Sequence, residues 1–225
     1  MPQKQANGVH ATSNRRIPGS SGSLRRVAAI RDRKPALMDD RARRIIDTAI
    51  ELAERDGYAA VRLREVAARA EVALGTVYKR FASKEEILVA AMAQEAERLL
   101  ARFTEVPAGD TAQERVVNFY QGATDAFLRR PKLARAILRA IGAGEGAMTA
   151  RIASIHALTT ALLMGAITGE KAQTRRWDSE RDKEARELAS IFMQVWFAAL
   201  VGWASGLHDA QGVVDQVAKV ARRVL

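Results

Sequence analysis

From residue 39 onward, apolar side chains recur at the spacing of amphipathic helices. The first stripe runs from Ile45 to Ala53, where Asp39 or Asp40 can cap the helix start and Gly57 can end it. Runs of alternating β-branched residues are missing, and Ala, Leu, Arg and Glu dominate. The pattern therefore predicts an all-α protein.

Eight further helices follow from the same spacing and from their end signals. Ser83 and Glu86 form a capping-box pattern, Pro131 suits a first helical turn, and Gly206 suits a helix end. The predicted ranges are about 63–70, 74–80, 84–103, 111–129, 131–141, 147–167, 179–205 and 209–225. About nine helices with short connections are expected, and the sequence contains no internal repeat.

The segment from Leu63 to Leu88 predicts a helix-turn-helix, because two short helices lie about three residues apart and must cross steeply. Val77 and Phe81, four residues apart, can anchor the second helix to the core and leave its opposite face outward. A helix in the DNA major groove needs this division between anchors and hydrogen-bond donors. The candidate DNA-binding residues are Arg62, Arg64, Gly75, Thr76, Tyr78, Lys79, Arg80 and Lys84. The alternative is a solvated polar face.

The charge balance favours an anionic partner. Lys and Arg number 36 against 26 Asp and Glu, a net charge of +10. Residues 1–38 alone carry eight basic side chains and one acidic one, and they lack a periodic apolar pattern. We interpret them as a flexible basic arm, which either follows the DNA backbone or is a solvated tail.

Several function classes lose support from composition. Cysteine is absent, and the three histidines are scattered without metal-ligand spacing, so no metal site, no cofactor and no catalytic residues are predicted. No secretory signal is visible, and the longest apolar stretch, near 195–204, is shorter than the roughly 20 residues of a membrane span. A cytoplasmic protein that is neither an enzyme nor membrane-bound is expected.

Three segments resemble the TetR family of bacterial transcriptional repressors. They are RRIIDTAIELAERDGY (43–58), EVAARA (65–70) and VALGTVYKRFASKEEIL (72–88). The resemblance implies a homodimer with a DNA-binding domain at 39–88 and a ligand-binding and dimerisation domain at 89–225. Further segments at 129–140 and 195–206 are most similar to a KstR-like branch of steroid-catabolism repressors.

Three positions depart from the family pattern around the helix-turn-helix. Arg62 stands where a capping Ser or Thr is frequent, and Ala73 replaces a frequent Ser, so neither short helix is expected to have a side-chain cap. Glu71 stands where Gly is frequent between the helices. A glycine-type left-handed turn is therefore not expected there.

The rest of the chain supplies candidates for a ligand site and a dimer interface. The ligand candidates, mostly apolar, are Phe119, Tyr120, Phe127, Ile137, Ile141, Met148, Ile152, Ile155, His156, Met164 and Gln194. The interface candidates on the last two helices are Trp196, Leu200, Trp203, Val213, Val217 and Val220. Basic residues near Pro131 either form a solvated basic corner or hold the phosphates of a coenzyme A ester: Arg129, Arg130, Lys132 and Arg135.

Together these features predict a homodimeric repressor that binds a palindromic DNA operator and is released by a largely hydrophobic effector, steroid-derived or an acyl-CoA. Two alternatives stay open at this point. One is a helical protein that binds acyl-CoA or a membrane surface without operator-specific DNA binding. The other is an enzyme on a helical scaffold, for which the sequence offers no catalytic grouping.

Overall fold

The structure is a computed structural model, and it describes residues 40–100, 105–143, 149–171 and 180–225. Those ranges contain nine α-helices, one short 3-10 helix and no strand, so the predicted all-α fold is confirmed. The elements are α1 (Asp40–Asp56), the 3-10 helix (Tyr58–Ala60), α2 (Leu63–Arg69), α3 (Leu74–Arg80), α4 (Lys84–Leu100), α5 (Ala112–Leu128), α6 (Pro131–Ala143), α7 (Thr149–Thr168), α8 (Arg181–Ala204) and α9 (Ala210–Val224). The predicted basic arm, 1–38, lies outside the described residues.

The helix ends follow local capping chemistry. The Ser83 hydroxyl accepts a hydrogen bond from the Glu86 amide at 3.2 Å, but the Glu86 carboxylate accepts from Ala82 rather than from Ser83. The predicted capping box is thus half formed, because the Glu86 carboxylate accepts from the amide one residue before Ser83. A complete capping box starts α5, where Thr111 pairs with Glu114. The predicted caps of α8 at 178 and 179 lie outside the described residues.

Helix α6 contributes side chains to two of the three apolar clusters, the first and the third. The first core joins α1 to α4 with the inner face of α6, including Leu133 and Ile137. The second core joins α5, α7, α8 and α9, and a third, smaller cluster packs Leu138 of α6 against Leu200 and Trp203 of α8. The predicted boundary at 88/89 falls inside α4. Because α6 contributes to the first core, helices α1 to α4 are not separated from the remainder by an open linker.

Helices α7 and α8 are each long and apolar enough, by length and composition, to cross a membrane. The apolar window of α8, 182–204, is longer than the stretch that the sequence suggested. Both helices contribute side chains to the second core, as core helices of a soluble protein do. They are therefore weak evidence for a membrane span.

Candidate DNA-binding site

The second helix of the helix-turn-helix, α3, has one buried face and one exposed face. Val77 is fully buried, and Phe81, at the end of the helix, is 4% exposed; both belong to the first core. Tyr78 is 58% exposed, and Lys79 and Arg80 are also exposed. Val77 and Phe81 are thus buried on one side of α3, as their spacing predicted, and Tyr78, Lys79 and Arg80 lie on its exposed side.

The remaining candidates surround α3. Gly75 is exposed and Thr76 is half-buried on α3, while Arg62 and Arg64 are exposed at the start of α2. As predicted, neither Arg62 before α2 nor Ala73 before α3 makes a side-chain cap. The structure thus brings these candidates to the two short helices, and their contact with DNA stays a prediction.

The turn between α2 and α3 corrects one expectation. Glu71 has φ +54°, so the left-handed turn forms without glycine. The Glu71 amide donates to the Ala68 carbonyl at 3.3 Å, and the Val72 amide donates to the Ala67 carbonyl at 3.0 Å. This is the hydrogen-bond pattern of a Schellman motif. Satisfied carbonyls at the end of α2 offset the steric cost of a side chain in this region.

Replacing Glu71 with glycine is expected to raise the free energy of unfolding by about 0.5–1 kcal/mol. The steric cost of the left-handed conformation disappears, but the larger entropy of the unfolded glycine chain offsets part of that stabilisation. Urea unfolding of the purified protein measures it. Ala68→Gly, at an exposed right-handed position of α2, is the matched control and should lower stability by about 1 kcal/mol. Equal destabilisation by both changes would show that Glu71 is not strained.

One contact that the sequence did not reveal ties α1 to this turn. The Arg44 Nε donates to the Ala70 carbonyl at 3.2 Å, at the C-terminal end of α2. A cation at a helix C-terminus satisfies a free carbonyl and interacts favourably with the helix dipole. The contact fixes α2 against α1, and only the fold brings these two residues, 26 apart, together.

A second unforeseen group, the Tyr58 cluster (Tyr58, Lys84, Glu85 and Arg139), lies beside the start of α4. The Lys84 ammonium is 3.8 Å from the centroid of the Tyr58 ring, and the Arg139 guanidinium carbon is 4.5 Å from it. The Tyr58 hydroxyl donates to the Glu85 carboxylate. Tyr58 stood inside a family-like segment of the sequence, but no pattern assigned it a role.

The hydrogen bond between Tyr58 and Glu85 shifts the pKa of both residues. Burial, the hydrogen bond to Glu85 and the charge of Glu85 raise the pKa of Tyr58 above its usual value. Burial alone would raise the pKa of Glu85, but the hydrogen bond from Tyr58, with help from Ser83 and Lys84, lowers it on balance. Near neutral pH the phenol therefore keeps its proton and the carboxylate keeps its charge.

The basic residues near Pro131 are engaged within the protein. Arg130 pairs with Glu95 of α4 and approaches Glu54 of α1 at 3.8 Å. The Lys132 ammonium donates to the Arg55 carbonyl at 2.7 Å, and the Arg135 guanidinium lies 4.4 Å from the Trp203 ring centroid. Only Arg129 of the four is without such a contact among the described residues. These contacts join α6 and the residue before it to α1, α4 and α8, which weakens the expectation of a phosphate-binding corner.

The ligand candidates do not converge on one core. Phe119, Tyr120 and Met164 lie in the second core, whereas Ile137 and Ile141 lie in the first and Phe127 contacts the first and the third. Ile152 and Ile155 are half-buried, His156 and Gln194 are exposed, and Met148 is outside the described residues. The exposure of His156 on α7 and Gln194 on α8 does not fit their assignment as polar groups inside an apolar site.

Tyr120 is the ligand candidate with the most unusual surroundings. Its ring is fully buried, and its neighbours include Phe119 at 5.2 Å, Trp196 at 5.5 Å and Phe192 at 6.5 Å between ring centroids. Its hydroxyl has no hydrogen-bond partner among the described residues. Burial raises the pKa of Tyr120 well above its usual value, so the hydroxyl stays a donor.

The choice of interface side chains is also corrected. Leu200, Trp203, Val213 and Val217 are buried inside their own protomer. Trp196 donates to the Thr124 hydroxyl at 2.9 Å, and Val220 packs against the second core. The exposed apolar side chains of α8 are instead Ile191, Phe197 and Val201. A partner would therefore meet a different face of α8 from the predicted one.

Comparison with known proteins agrees with this arrangement. Residues 45–91 match the model for bacterial regulatory proteins of the tetR family, and residues 109–224 match the tetracyclin repressor-like C-terminal domain. The HTH-type transcriptional repressor KstR of Rhodococcus jostii is 33% identical over 79% of this chain and 79% of its own length. KstR of Mycolicibacterium smegmatis is 29% identical over 83% of this chain and 87% of its own.

Solved structures share the fold. A TetR transcriptional regulator from Rhodococcus sp. RHA1 has a TM-score of 0.68 at 26% identity, covering 82% of this chain and 94% of that one. The regulator FadR from Bacillus subtilis, solved in complex with stearoyl-CoA, has a TM-score of 0.57 at 20% identity, covering 81% and 98%. With both domain models matched in order and a recognition helix exposed as DNA binding requires, the chain belongs to the TetR family of bacterial transcriptional regulators, in its KstR-like branch.

Proposed function

We propose that the protein is a homodimeric transcriptional repressor that binds a palindromic double-stranded DNA operator through α3 and is released by a hydrophobic small molecule. The observation that carries the proposal is the two-sided α3, anchored by Val77 and Phe81 and presenting Tyr78, Lys79 and Arg80 outward. Phosphate contacts by the cations would position the protein, and the outward face of α3 would contact base edges. In this proposal residues 39–88 bind DNA, the arm at 1–38 adds backbone contacts, and the protein works in the cytoplasm without catalysing a reaction.

A second copy of the chain is the proposed occupant of the outer face of α8. Phe197 and Val201 are four residues apart on it and are 39% and 44% exposed, and Ile191, at the edge of the same face, is 44% exposed. An exposed apolar stripe of this kind favours self-association, and a twofold axis lets the same patch serve both subunits. Twofold symmetry explains why the operator would be a palindrome, and half-sites one turn of DNA apart would require two recognition helices about 34–36 Å apart.

The proposed effector binds within residues 89–225, where the second core is apolar and aromatic. The buried Tyr120 hydroxyl, without a partner among the described residues, would offer a single hydrogen-bond donor. This chemistry suits a largely apolar molecule with few acceptors, such as an acyl or steroid-derived compound. The fold shared with the stearoyl-CoA complex of FadR supports testing acyl-CoA esters first. An effector releases DNA only by its differential affinity for the two states of the dimer.

The test selects random DNA with the full-length protein at two salt concentrations. We expect an enriched inverted repeat whose half-sites are about 10 base pairs apart, with affinity that falls steeply as salt rises. Stearoyl-CoA should then release the selected operator, and free coenzyme A plus stearate is the matched control. Uniform binding to all DNA, or to acyl-CoA or anionic vesicles alone, would contradict the proposal and favour a ligand- or surface-binding protein.

A further inference from the structure

The Tyr58 cluster joins the start of α4 to α6 through one aromatic ring. Lys84 occupies the first position of α4, directly after the segment that follows the recognition helix. Its ammonium lies 3.8 Å from the ring centroid of Tyr58, a distance at which the ring quadrupole attracts a cation. Arg139 of α6 contacts the same ring at 4.5 Å. Neither contact belongs to the DNA-facing surface of α3 itself.

We infer that Tyr58 is a positioning residue for DNA binding, which holds the Lys84 ammonium where it can contact a phosphate. The inference rests on the proposed function and deepens it. A lysine side chain has four rotatable bonds, and ordering it on DNA costs conformational entropy. A ring that already restricts Lys84 in the free protein reduces this cost. The side chain is half-buried, as expected of a restrained lysine rather than a freely solvated one.

The hydroxyl of Tyr58 fixes the ring in turn. It donates to Glu85, which follows Lys84 in the first turn of α4. The ring is thus held by a hydrogen bond to α4 while its face receives the neighbouring lysine. The same bond engages one oxygen of the Glu85 carboxylate, a negative charge beside Lys84 at the start of α4.

Arg139 gives the cluster a second cation whose position depends on α6. Both cations interact with one ring, so a change in the Arg139 contact alters the surroundings of Lys84 without touching α3. Arg139 is exposed, and α6 carries Leu138 into the third cluster, next in sequence to Arg139. Replacing Arg139 is therefore the matched control, because it removes a charge from the same ring at a position on α6 rather than on the DNA-binding helices.

A double-mutant cycle on operator affinity tests the inference, using Tyr58→Leu, Lys84→Met and the double variant of the full chain at several salt concentrations. Lys84→Met should weaken binding about tenfold and lower the salt slope by about 1. Tyr58→Leu should weaken binding about three- to tenfold with the slope kept, and the double variant should bind no more weakly than Lys84→Met. Additive losses would overturn the positioning role.

Two further variants test the Tyr58 hydroxyl and the Arg139 cation separately from the Tyr58 ring. Tyr58→Phe keeps the ring and should retain at least half of the operator affinity, whereas a loss equal to that of Tyr58→Leu would contradict the ring contact. Arg139→Met should leave the salt slope unchanged. A slope reduced by about 1 would assign the phosphate contact to Arg139 instead.

A direct measurement does not depend on any variant folding. The Cε protons of Lys84, in full-length protein labelled with 13C-lysine, should resonate upfield of the other lysines because the Tyr58 ring current shields them. Unshifted Lys84 resonances would overturn the inference. If no operator is selected at all, the proposed function fails; if an operator is selected but the cycle is additive and the resonance unshifted, only the role of Tyr58 fails.

Discussion

Replacing Val201 with glutamate is expected to convert the proposed dimer into a folded monomer and to weaken operator binding by at least a hundredfold. The side chain is 44% exposed in the protomer, so a charge is tolerated there in the free subunit. In a dimer the same charge would be buried without a partner on both subunits, at a cost of several kcal/mol. Light scattering measures the mass, and a gel-shift assay with the selected operator measures the affinity.

Two control variants make this result specific to the outer face of α8. Leu207→Glu changes an apolar residue that is 81% exposed in the turn after α8, and it should leave the dimer intact. Val217→Glu places a charge inside the protomer, because Val217 is fully buried in the second core. It should lower folding stability instead of yielding a folded monomer. A dimeric Val201→Glu that binds DNA would place the interface elsewhere.

Removing the aromatic ring of Phe81 or of Tyr78 is expected to affect different properties, folding stability in the first case and operator affinity in the second. Phe81→Ala removes a ring that is 4% exposed in the first core and should lower the free energy of unfolding by about 3–5 kcal/mol. Tyr78→Ala removes a ring that is 58% exposed, so stability should change by less than about 0.5 kcal/mol. Operator affinity should nevertheless fall about 10- to 100-fold, which corresponds to about 1–3 kcal/mol of lost base contact.

Urea unfolding and operator titration of the same two proteins check this pair. If Tyr78→Ala unfolds as readily as Phe81→Ala, α3 is rotated relative to the structure. If Tyr78→Ala is stable and binds the operator with unchanged affinity, the outward face of α3 is not what contacts the bases, and Lys79 and Arg80 would act on phosphates alone.

The sequence predicted the parts of this protein that depend on local order. Helix spacing and end signals placed α3 at its observed bounds, and the separation of Val77 from Phe81 identified its buried side. Glu71 was misjudged because the rule for left-handed turns concerns the residue alone, whereas the outcome also depends on the carbonyls that the turn satisfies.

Long-range arrangement was harder to predict. Helix α8 is apolar on more than one side, so periodicity could not tell the side facing its own core from the side facing solvent, and Trp203 was assigned to the wrong one. The partners of the basic residues near Pro131 were not predicted for a related reason. Their acceptors are at least 35 residues away in sequence: Glu54, Glu95 and the Arg55 carbonyl. The positions of the basic residues alone do not reveal which acceptors the fold brings near them.

The shared use of α6 has a consequence for chimeric regulators, in which one protein's operator specificity is grafted onto another's effector response. A graft that exchanges residues 1–88 would cut α4 and pair a foreign first core with the native Leu133 and Ile137. It would also replace Glu54, whose carboxylate lies 3.8 Å from the Arg130 guanidinium. A transplanted DNA-binding domain should therefore be accompanied by the matching side chains on the inner face of α6. A functional chimera needs exchanges in both segments rather than one junction in the sequence.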